Sequence, residues 1–422
     1  MIDPTYLDAL RALAQPIRAA AMPRSLAPMR RLLAELGDPQ TRFQSVVVTG
    51  SVSKGTTCHQ IAQLLYPPLR RMERGRGGAV GLFTSPHLHS FRERLVVSGE
   101  RISQAEFVEA ANAVLEAAAR LNFAYSTFEL ATALVLWWFA RRGVNIAVLE
   151  VGIGGRWDAV NAVENGLAVF TPIEREHVAM LGGSLQTIAW NKAGIIQANG
   201  HALSVPQDSA VEAILRDEAA LKQATFSVVA GDQLAHAACN SLMQRSLIPQ
   251  RSLDADQPLI HLPGRLETIT LNGRTVLIDG GHTPASARRL HNEIDRLAGM
   301  IKPIRLIVGM LRDKSARDFL AVFDAPHFRI TLTTAPVHRA LSPDELEAQA
   351  KLHTATVEII PDLNAALAHV YSTPESLVVV AGSLRIAAAA REAFGLLTPD
   401  ALAEARATRA IFEGDDYRAK LG

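Results

Sequence analysis

Short apolar runs alternate with longer helical stretches along most of the chain. Because these runs lack polar alternation, they predict parallel strands that helices cover on both faces. The runs lie at 45–49, 79–85, 145–151 and 167–172, and the scheme repeats at 274–280, 304–309 and 377–382. Capping-box patterns precede two of the helical stretches: Ser103 with Glu106, and Ser126 with Glu129. The pattern therefore predicts an α/β fold built on doubly wound parallel sheets.

A change in this pattern predicts a domain boundary near the Pro-Gly pair of IHLPGRLE at 260–267. The preceding segment, 206–259, is polar and rich in alanine and gives weak signals, whereas residues 1–40 predict two short helices interrupted by prolines. A chain of 422 residues has room for two or three domains of ~150 residues. We therefore expect a first domain over 1–262 and a smaller α/β domain over 263–422.

The charge balance narrows the classes of partner. Lys and Arg total 43 and Asp and Glu total 42, so the net charge of +1 argues against binding nucleic acid or membrane through bulk charge. The two cysteines, Cys58 and Cys239, cannot form a disulfide framework and suit a reducing compartment. The N-terminus lacks the features of a signal peptide. The longest apolar run, at 130–140, is shorter than the ~20 residues of a membrane-spanning helix. These features predict a cytoplasmic protein.

The segment GSVSKGTT at 50–57 lies between a predicted strand and a predicted helix. A helix N-terminus attracts phosphate, Lys54 adds a cation, and the hydroxyl of Thr56 or of the next threonine can hold Mg²⁺. The standard G-x-x-x-x-G-K-[ST] pattern is absent, because Gly55 follows the lysine and Ser53 occupies the place of the usual glycine. Taken alone, the segment fits an ordinary strand-to-helix turn as well as it fits a phosphate site.

The surroundings of this segment resolve the ambiguity. VVVTGSVSKGTT resembles the VAGTNGKGST loop of the folylpolyglutamate synthase and dihydrofolate synthase family, in the Mur ligase superfamily. Further segments resemble landmarks of that family in the same order: GLFTSPHLHSFRERLVVSGERIS at 81–103, STFELATAL at 126–134, LEVGIGGRWDAVNAV at 149–163, TPIEREHVAMLGGSLQTIAWNKAGII at 171–196, PGRLE at 263–267, DGGHTP at 279–284, GMLRDK at 309–314 and AGSLRIAAAAR at 381–391. The resemblance implies a P-loop-type doubly wound domain that binds ATP, followed by a smaller Rossmann-like α/β domain.

The family's activity then becomes an expectation for this chain. Its members use MgATP to convert a carboxylate into an acyl phosphate, which an amine displaces to form an amide. The resemblance implies a carbon–nitrogen ligase that adds L-glutamate to a folate-type acid, either dihydropteroate or a tetrahydrofolyl-glutamate. It further implies ATP and Mg²⁺ as cofactors, with one or two metal ions, a monomeric state, and no partnership with nucleic acid or membrane.

Charged residues carry the catalytic and metal-binding assignments that the resemblance implies. The catalytic set is Lys54, His177 and Lys192, and the metal set is Thr56, Ser85, Glu150 and His177. Oxygen ligands suit Mg²⁺, so a carboxylate that ends the apolar run NIAVLEV fits this role. Lys192 matches a lysine that is carbamylated in many relatives. The structural alternatives are a strand-end polar residue for Glu150, a loop histidine for His177, a turn serine for Ser85 and a solvated cation for Lys192.

The resemblance also implies two sets of binding residues. The ATP set is Gly50, Ser51, Ser53, Lys54, Gly55, Thr56, Thr57, His236, Arg265, Asp279 and His282. The substrate set is Phe128, Glu129, Gly155, Arg156 and Asp158. An Arg beside phosphates and an Asp on a ribose hydroxyl are physically reasonable. A linker charge for Arg265, a turn residue for Asp279 and a helix-capping role for Glu129 are the structural alternatives.

Five departures from the family pattern fall mostly on the nucleotide side. They are Val52-Ser53 for Asn-Gly, Glu176 for the Asp before the histidine, Thr283 for an Asn, His236 for the Asn that faces the base, and Asp158-Ala159-Val160-Asn161 for DATN. Where the family has a glycine with positive φ, Ser53 is strained or the loop differs.

Three hypotheses follow from the pattern and its departures. The first is an active ligase that joins glutamate to a folate-type acid, and the second is a ligase of the same mechanism with another acid or amine. The third is a degenerate paralogue that binds without catalysis, which the retention of Lys54, Glu150, His177 and Lys192 opposes. A P-loop kinase or hydrolase is the alternative outside the family, and it would not need the segment DGGHTP.

Overall fold

The structure of the chain, a computed structural model, describes residues 2–14, 24–66, 78–250, 253, 258–299 and 303–413. The chain divides into two compact units. Unit 1 is Met1–Ile260 with Ala407–Gly422, and unit 2 is His261–Arg406. The predicted boundary after residue 262 thus lies two residues from the observed one. The end of the chain groups with unit 1 because Ile411 and Phe412 pack against the core of that unit.

Unit 1 is built around a sheet of eight strands. The strands are β1 (Gln44–Thr49), β2 (Ala79–Phe83), β3 (Leu95–Val97), β4 (Glu100–Arg101), β5 (Val144–Glu150), β6 (Leu167–Phe170), β7 (His201–Ser204) and β8 (Thr225–Val228). Their order in the sheet is β4-β3-β2-β5-β1-β6-β7-β8. All neighbours pair in parallel except at the β2–β3 and β3–β4 edges, which are antiparallel.

Helices cover both faces of this sheet. They are α1 (Pro4–Ala14), α2 (Ala27–Glu35), α3 (Lys54–Leu65), α4 (Gln104–Leu121), α5 (Thr127–Arg141), α6 (Val178–Leu181), α7 (Leu185–Ala193), α8 (Ser209–Leu221) and α9 (Leu234–Gln244). Helices α3 and α9 share one apolar core with the sheet, and α1, α4, α5, α7 and α8 share the other. This double covering explains why the central strands carry almost no polar alternation.

Unit 2 has a sheet of six strands. They are β9 (Glu267–Leu271), β10 (Arg274–Ile278), β11 (Ile304–Val308), β12 (Phe328–Leu332), β13 (Thr356–Ile359) and β14 (Leu377–Ala381), in the order β13-β12-β11-β14-β10-β9. Among the strands that the structure describes in this sheet, β9 alone pairs antiparallel, with β10. The helices are α10 (Pro284–Ala298), α11 (Ala316–Leu320), α12 (Pro343–Ala350), α13 (Leu363–Ser372), α14 (Leu384–Ala393) and α15 (Pro399–Glu413). The second half of α15 belongs to unit 1.

The predicted α/β fold with doubly wound parallel sheets is confirmed, and each predicted strand is present. The weak segment 206–259 proves to contain α8, β8 and α9. No helix among the described residues is both long and apolar enough to cross a membrane.

Candidate functional site

Four segments of unit 1 meet at one edge of its sheet. Strands β2, β5, β1 and β6 are parallel neighbours, so their carboxyl ends lie side by side. The segments that follow these strands are 50–53, 84–94, 151–158 and 171–177. Ligands of doubly wound sheets bind at this edge. Most of the unit 1 residues in the predicted sites lie in these segments or in the first turn of α3.

The segment 50–57, called here the phosphate loop, enters α3 through two residues with positive φ. Gly50 has φ +148°, and a Cβ at this position would lie 1.9 Å from Oγ1 of Thr171, so no side chain fits. Ser53, the residue before α3, has φ 67°. Of the two alternatives that the sequence left for Ser53, the structure therefore shows the strained backbone. The loop keeps the left-handed turn although the glycine that usually permits it is absent.

Hydrogen bonds join the phosphate loop to the segment after β6. The backbone N–H of Ser51 donates to the carbonyl of Pro172 over 2.7 Å. The Ser51 hydroxyl donates to the carbonyl of Glu174 over 3.1 Å and accepts the N–H of the same residue over 3.0 Å. These hydrogen bonds hold the phosphate loop against the segment 171–177, and they use the donor and an acceptor position of the Ser51 hydroxyl.

Lys192 forms the buried centre of this arrangement. Its ammonium donates to the carbonyl of Gly50 over 2.8 Å and to Oε1 of Glu176 over 2.9 Å. Burial lowers the pKa of Lys192 to about 8, although the Glu176 carboxylate opposes the shift. Burial alone would raise the pKa of Glu176, but Lys192 and Lys54 hold it below its usual value. The alternative of a solvated helix cation at Lys192 is wrong, because the side chain is fully buried.

Glu150 brings the end of β5 together with the first turn of α3. Its buried carboxylate accepts the backbone N–H of Ser85 at Oε2 over 2.7 Å. A Cβ added to Gly55 would lie 3.3 Å from the same oxygen, so the helix N-terminus closely approaches the carboxylate. Thr56 follows Gly55 in the same turn, whereas Thr57 is buried against the core side. The structure thus places three of the predicted metal residues, Glu150, Ser85 and Thr56, around one edge.

His177 lies on the neighbouring segment, just before α6. Its backbone φ is 48°, and its Nε2 lies 4.0 Å from Oε2 of Glu176. Lys54 acts electrostatically on Glu176 and Lys192, which places its charge near this pair. Among the described residues, no three His, Cys, Asp or Glu side chains converge as a metal centre would require.

The substrate-side residues have structural partners. Asp158 is buried, and its carboxylate accepts the N–H of Ile153 and of Val160, each over 3.0 Å. Burial raises the pKa of Asp158 to about 6 against these hydrogen bonds. The Arg156 guanidinium pairs with buried Glu218 at 2.7 Å and lies 4.1 Å from the ring centroid of Trp190. Both side chains shape the 151–158 segment.

Glu129, Phe128 and Gly155 complete that set. Glu129 accepts the N–H and the hydroxyl of Ser126, each over 2.8 Å, so it fills the capping-box role that was its structural alternative. Phe128 faces the 151–158 segment, since a Cβ on Gly152 would lie 2.7 Å from its Cζ. Gly155 has no room for a side chain against the carbonyl of Lys192, 2.8 Å from a Cβ. The structure thus gives Glu129 and Gly155 a structural role, and substrate contact by the whole set stays a prediction.

In unit 2, the predicted nucleotide residues flank the end of β10. Asp279 is buried, and its carboxylate accepts the N–H of Leu266 over 2.9 Å and that of Gly281 over 2.8 Å. His282 contacts the carbonyl of Gly280 through Nδ1 over 3.1 Å. Burial lowers the pKa of His282 to about 4, and the charges of Lys314 and Arg265 add to this shift. The imidazole is therefore neutral at physiological pH. The sequence analysis did not include Lys314 among the candidate site residues, although this lysine ends the segment GMLRDK, which resembles a family landmark.

Two departures from the family pattern have local explanations. Thr283 caps α10 in a capping box with Ser286, so the hydroxyl supplies the helix cap at this position. His236 has a buried Nε2 without a hydrogen-bond partner in the described part of the chain. It lines a pocket of unit 1 together with Asp232, Gln233, Asn240 and Leu253. A ligand that fills this pocket could satisfy the imidazole nitrogen.

Known proteins resemble this chain in sequence and in fold. The Mur ligase, glutamate ligase domain matches residues 264–384. The folylpolyglutamate synthase of Lacticaseibacillus casei is 30% identical over 414 residues, which cover 86% of this chain and 92% of that protein. The chain belongs to the folylpolyglutamate synthase and dihydrofolate synthase family. The family resemblance predicted from the motifs is therefore confirmed.

Other relatives and solved structures extend this result. The probable bifunctional folylpolyglutamate synthase/dihydropteroate synthase of Haloferax volcanii is 31% identical over 409 residues, or 86% of this chain. The chain spans about half the length of that relative and of its Halobacterium salinarum counterpart, 47% and 48%. The Mycobacterium tuberculosis folylpolyglutamate synthase complexed with ADP superimposes with a TM-score of 0.77 at 26% identity, covering 93% of this chain and 98% of that one.

Proposed function

We propose that the protein is an ATP-dependent carbon–nitrogen ligase that adds L-glutamate to a folate-type carboxylate. The γ-phosphoryl group of ATP moves to a carboxylate oxygen, releasing ADP and leaving an acyl phosphate. The glutamate nitrogen then attacks the carbonyl carbon, phosphate leaves with the C–O bond electrons, and the nitrogen loses a proton. The observation that carries the proposal is the approach of the Glu150 carboxylate to the N-terminus of α3, directly beside Lys54.

The phosphate loop suits the phosphoryl group because of its charges and its fixed backbone. The free N–H groups of the α3 N-terminus and the cation of Lys54 favour negative charge at this end of the helix. Ser51 and Lys192 hold the loop from behind through the contacts of Gly50 and Glu174. A fixed set of donors stabilises the charge that develops on phosphoryl oxygens without reorganising in the transition state.

Mg²⁺ is the cofactor in this proposal. The hard oxygens of Glu150, Ser85 and Thr56 match its preference, and the buried Glu150 carboxylate at the helix end provides the charge that it needs. When bound, Mg²⁺ would neutralise the charge of the transferring phosphoryl group. His177 lies next to Glu176 and would serve a second ion on that side.

Lys192 acts in this proposal as a cation that positions the phosphate loop. Its two acceptors, Gly50 and Glu176, lie within 2.9 Å and account for its buried charge. Glu176 occupies the place of the family's Asp, and its carboxylate already supplies the anion beside Lys192. A carbamate on Lys192 would add a second anion at this point, so it requires a cation between the two groups.

On the nucleotide side, we assign Arg265 and His282 to phosphate and ribose contacts and His236 to the base. The neutral His282 and the orphaned Nε2 of His236 can each accept or donate one hydrogen bond. Asp279 supports these contacts indirectly, because its carboxylate holds the backbone N–H groups of Leu266 and Gly281. The ligase works as a monomer in this proposal, which light scattering of the purified chain would check.

ADP release measured with paired substrates tests the proposed function. Dihydropteroate, tetrahydrofolyl-glutamate and unrelated carboxylates are each offered with and without L-glutamate, and the products are weighed by mass spectrometry. We expect an amide product that depends on both ATP and glutamate. Amide formation with another acid alone would favour the second hypothesis. ADP release without an amide would contradict ligation, and absence of both ADP release and ATP binding would favour the degenerate paralogue.

A further inference from the structure

The second half of α15 lies in unit 1 and packs against the segment that follows β2. The ring of Phe412 stacks on that of Phe91, with 5.4 Å between centroids and an interplanar angle of 5°. It also lies 5.6 Å from the His87 ring. Both partners belong to the segment 84–94, which carries Ser85. Phe412 lies in Ala407–Gly422, the part of the chain that groups with unit 1.

The rings on the loop side are tied to each other. Arg94 donates from Nε to Nδ1 of His87 over 3.0 Å, and its guanidinium lies 4.6 Å from the ring centroid of Phe91. His87 and Phe91 are buried. We call Arg94, His87, Phe91 and Phe412 the aromatic stack. The first three come from the loop, and Phe412 is the only member from a distant part of the chain.

Hydrogen bonds hold the backbone of the same loop in a closed arrangement. The Glu93 carboxylate accepts the backbone N–H groups of Leu88, His89 and Ser90. The N–H of Thr84 donates to the carbonyl of Arg94 over 3.1 Å. The two ends of the loop are therefore joined, and one residue, Pro86, separates His87 from Ser85.

Ser85 connects the aromatic stack to the functional site. Its N–H donates to Oε2 of Glu150 over 2.7 Å, which fixes the carboxylate beside the α3 N-terminus. Partners that orient a metal-binding carboxylate typically change metal affinity about tenfold or more when they are lost. In this chain of contacts Phe412 reaches Ser85 through His87, so its effect on Glu150 would be indirect.

We propose that Phe412 is a positioning residue, which seats the loop 84–94 so that Ser85 holds Glu150 in place. Helix α15 thus contributes to the site at the carboxyl ends of β2, β5 and β1. The activity readout of this inference rests on the proposed function, whereas its spectroscopic readout does not.

Three substitutions of Phe412 and one matched control test the inference. Phe412→Ala removes the ring, Phe412→Leu keeps part of the apolar volume, and Phe412→Tyr keeps the ring. The control is Phe226→Ala, which removes another half-buried phenylalanine of unit 1 that packs on Arg216 at 4.6 Å, remote from the loop in its contacts. Two measurements are made on the full chain: the Mg²⁺ concentration that half-saturates ADP release, and the aromatic proton shifts of isotopically labelled His87, assigned with His87→Gln.

We expect Phe412→Ala to raise the half-saturating Mg²⁺ concentration about tenfold, with kcat at saturating Mg²⁺ changed less than about threefold. The His87 resonances should lose the ring-current shift of the stacked ring. Phe412→Tyr and Phe226→Ala should both keep the half-saturating Mg²⁺ concentration and the His87 resonances close to those of the wild type.

Unchanged His87 resonances in Phe412→Ala would overturn the inference, as would an equal change in Phe226→Ala. An altered His87 spectrum with an unaltered Mg²⁺ dependence would overturn the link to Glu150. If Phe412→Ala fails to fold, Phe412→Leu decides between the same outcomes. A wild-type chain without ligase activity would contradict the proposed function, and the His87 spectra would still decide whether Phe412 seats the loop.

Discussion

The ammonium of Lys192 lies 2.8 Å from the carbonyl oxygen of Gly50, although the two residues are 142 positions apart in the sequence. This contact joins α7 to the entrance of the phosphate loop, and Glu176 completes it from a third segment. Three segments that are remote in sequence are therefore held by one buried cation.

Replacing that cation should disturb both stability and nucleotide binding. We expect Lys192→Met to lower the free energy of unfolding by about 3 kcal/mol, because Glu176 is left largely buried without its partner. The KM for ATP should rise about tenfold as Gly50 loses its anchor. Chemical denaturation and ADP-release kinetics measure the two effects. Lys222→Met, at the end of α8, is the control, and an equal effect there would refute the anchoring role.

The left-handed conformation of Ser53 predicts a stabilising substitution. Ser53→Gly should raise the free energy of unfolding by about 1 kcal/mol, because glycine adopts φ 67° without steric cost. ATP affinity should be preserved or increased. Val52→Gly provides the comparison, since Val52 is not among the residues with positive φ and should lose stability on the same change. Urea unfolding of both variants checks the difference, and a loss of stability in Ser53→Gly would contradict the strain.

Asp158 predicts a pH dependence of stability with a definite sign. Its folded pKa of about 6 lies above the usual 3.8, so the folded state binds more protons than the unfolded state between these values. The contribution of this group is fully present below pH ~4 and is lost as the pH rises through about 6. We expect it to reach at most about 3 kcal/mol. Unfolding of wild type and Asp158→Asn from pH 4 to 7 measures it, and parallel stability curves would refute the raised pKa.

Glu150 predicts the metal dependence of the reaction. Glu150→Gln keeps an acceptor for the N–H of Ser85 but removes the negative charge at the helix end. The half-saturating Mg²⁺ concentration in ADP release should rise at least about tenfold. Glu129→Gln is the matched control, because that buried carboxylate caps α5 instead. Indifference of Glu150→Gln to the Mg²⁺ concentration would count against the metal site.

Lys54 predicts a loss of chemistry without a loss of fold. Lys54→Ala should reduce ADP release by about a thousandfold or more, since the cation beside the transferring phosphoryl group is removed. The side chain is only partly buried, so the melting temperature should change by a few degrees at most. Turnover close to wild type would exclude the phosphate role of this lysine.

The sequence identified the strands best where helices bury them on both faces. The run at 45–49 became β1, and the run at 145–151 became β5, which ends with Glu150 at the site edge. Strand β8 was not predicted, because Thr225–Val228 has no fully buried position and no continuous apolar run. Its four residues pair only with β7 and take their form from that neighbour.

Side-chain partners were harder to predict than strands. The capping role of Glu129 could be predicted from the sequence because its partner, Ser126, is three residues away. The partner of Arg156 could not be predicted in this way, because Glu218 lies 62 residues further along. The ion pair of Lys192 likewise depends on segments that only the folded sheet brings together. Local sequence therefore revealed which residues carry charge, and the tertiary fold decided what each charge contacts.

The crowding at Gly50 limits how this family member can diverge. A side chain at Gly50 would overlap Thr171, whereas Val52 and Ser53 already differ from the family pattern while the loop retains its turn. The phosphate loop therefore tolerates substitution at positions 52 and 53 but not at position 50. A library of loop variants should recover many residues at position 52, mainly residues that tolerate a left-handed backbone at position 53, and only glycine at position 50.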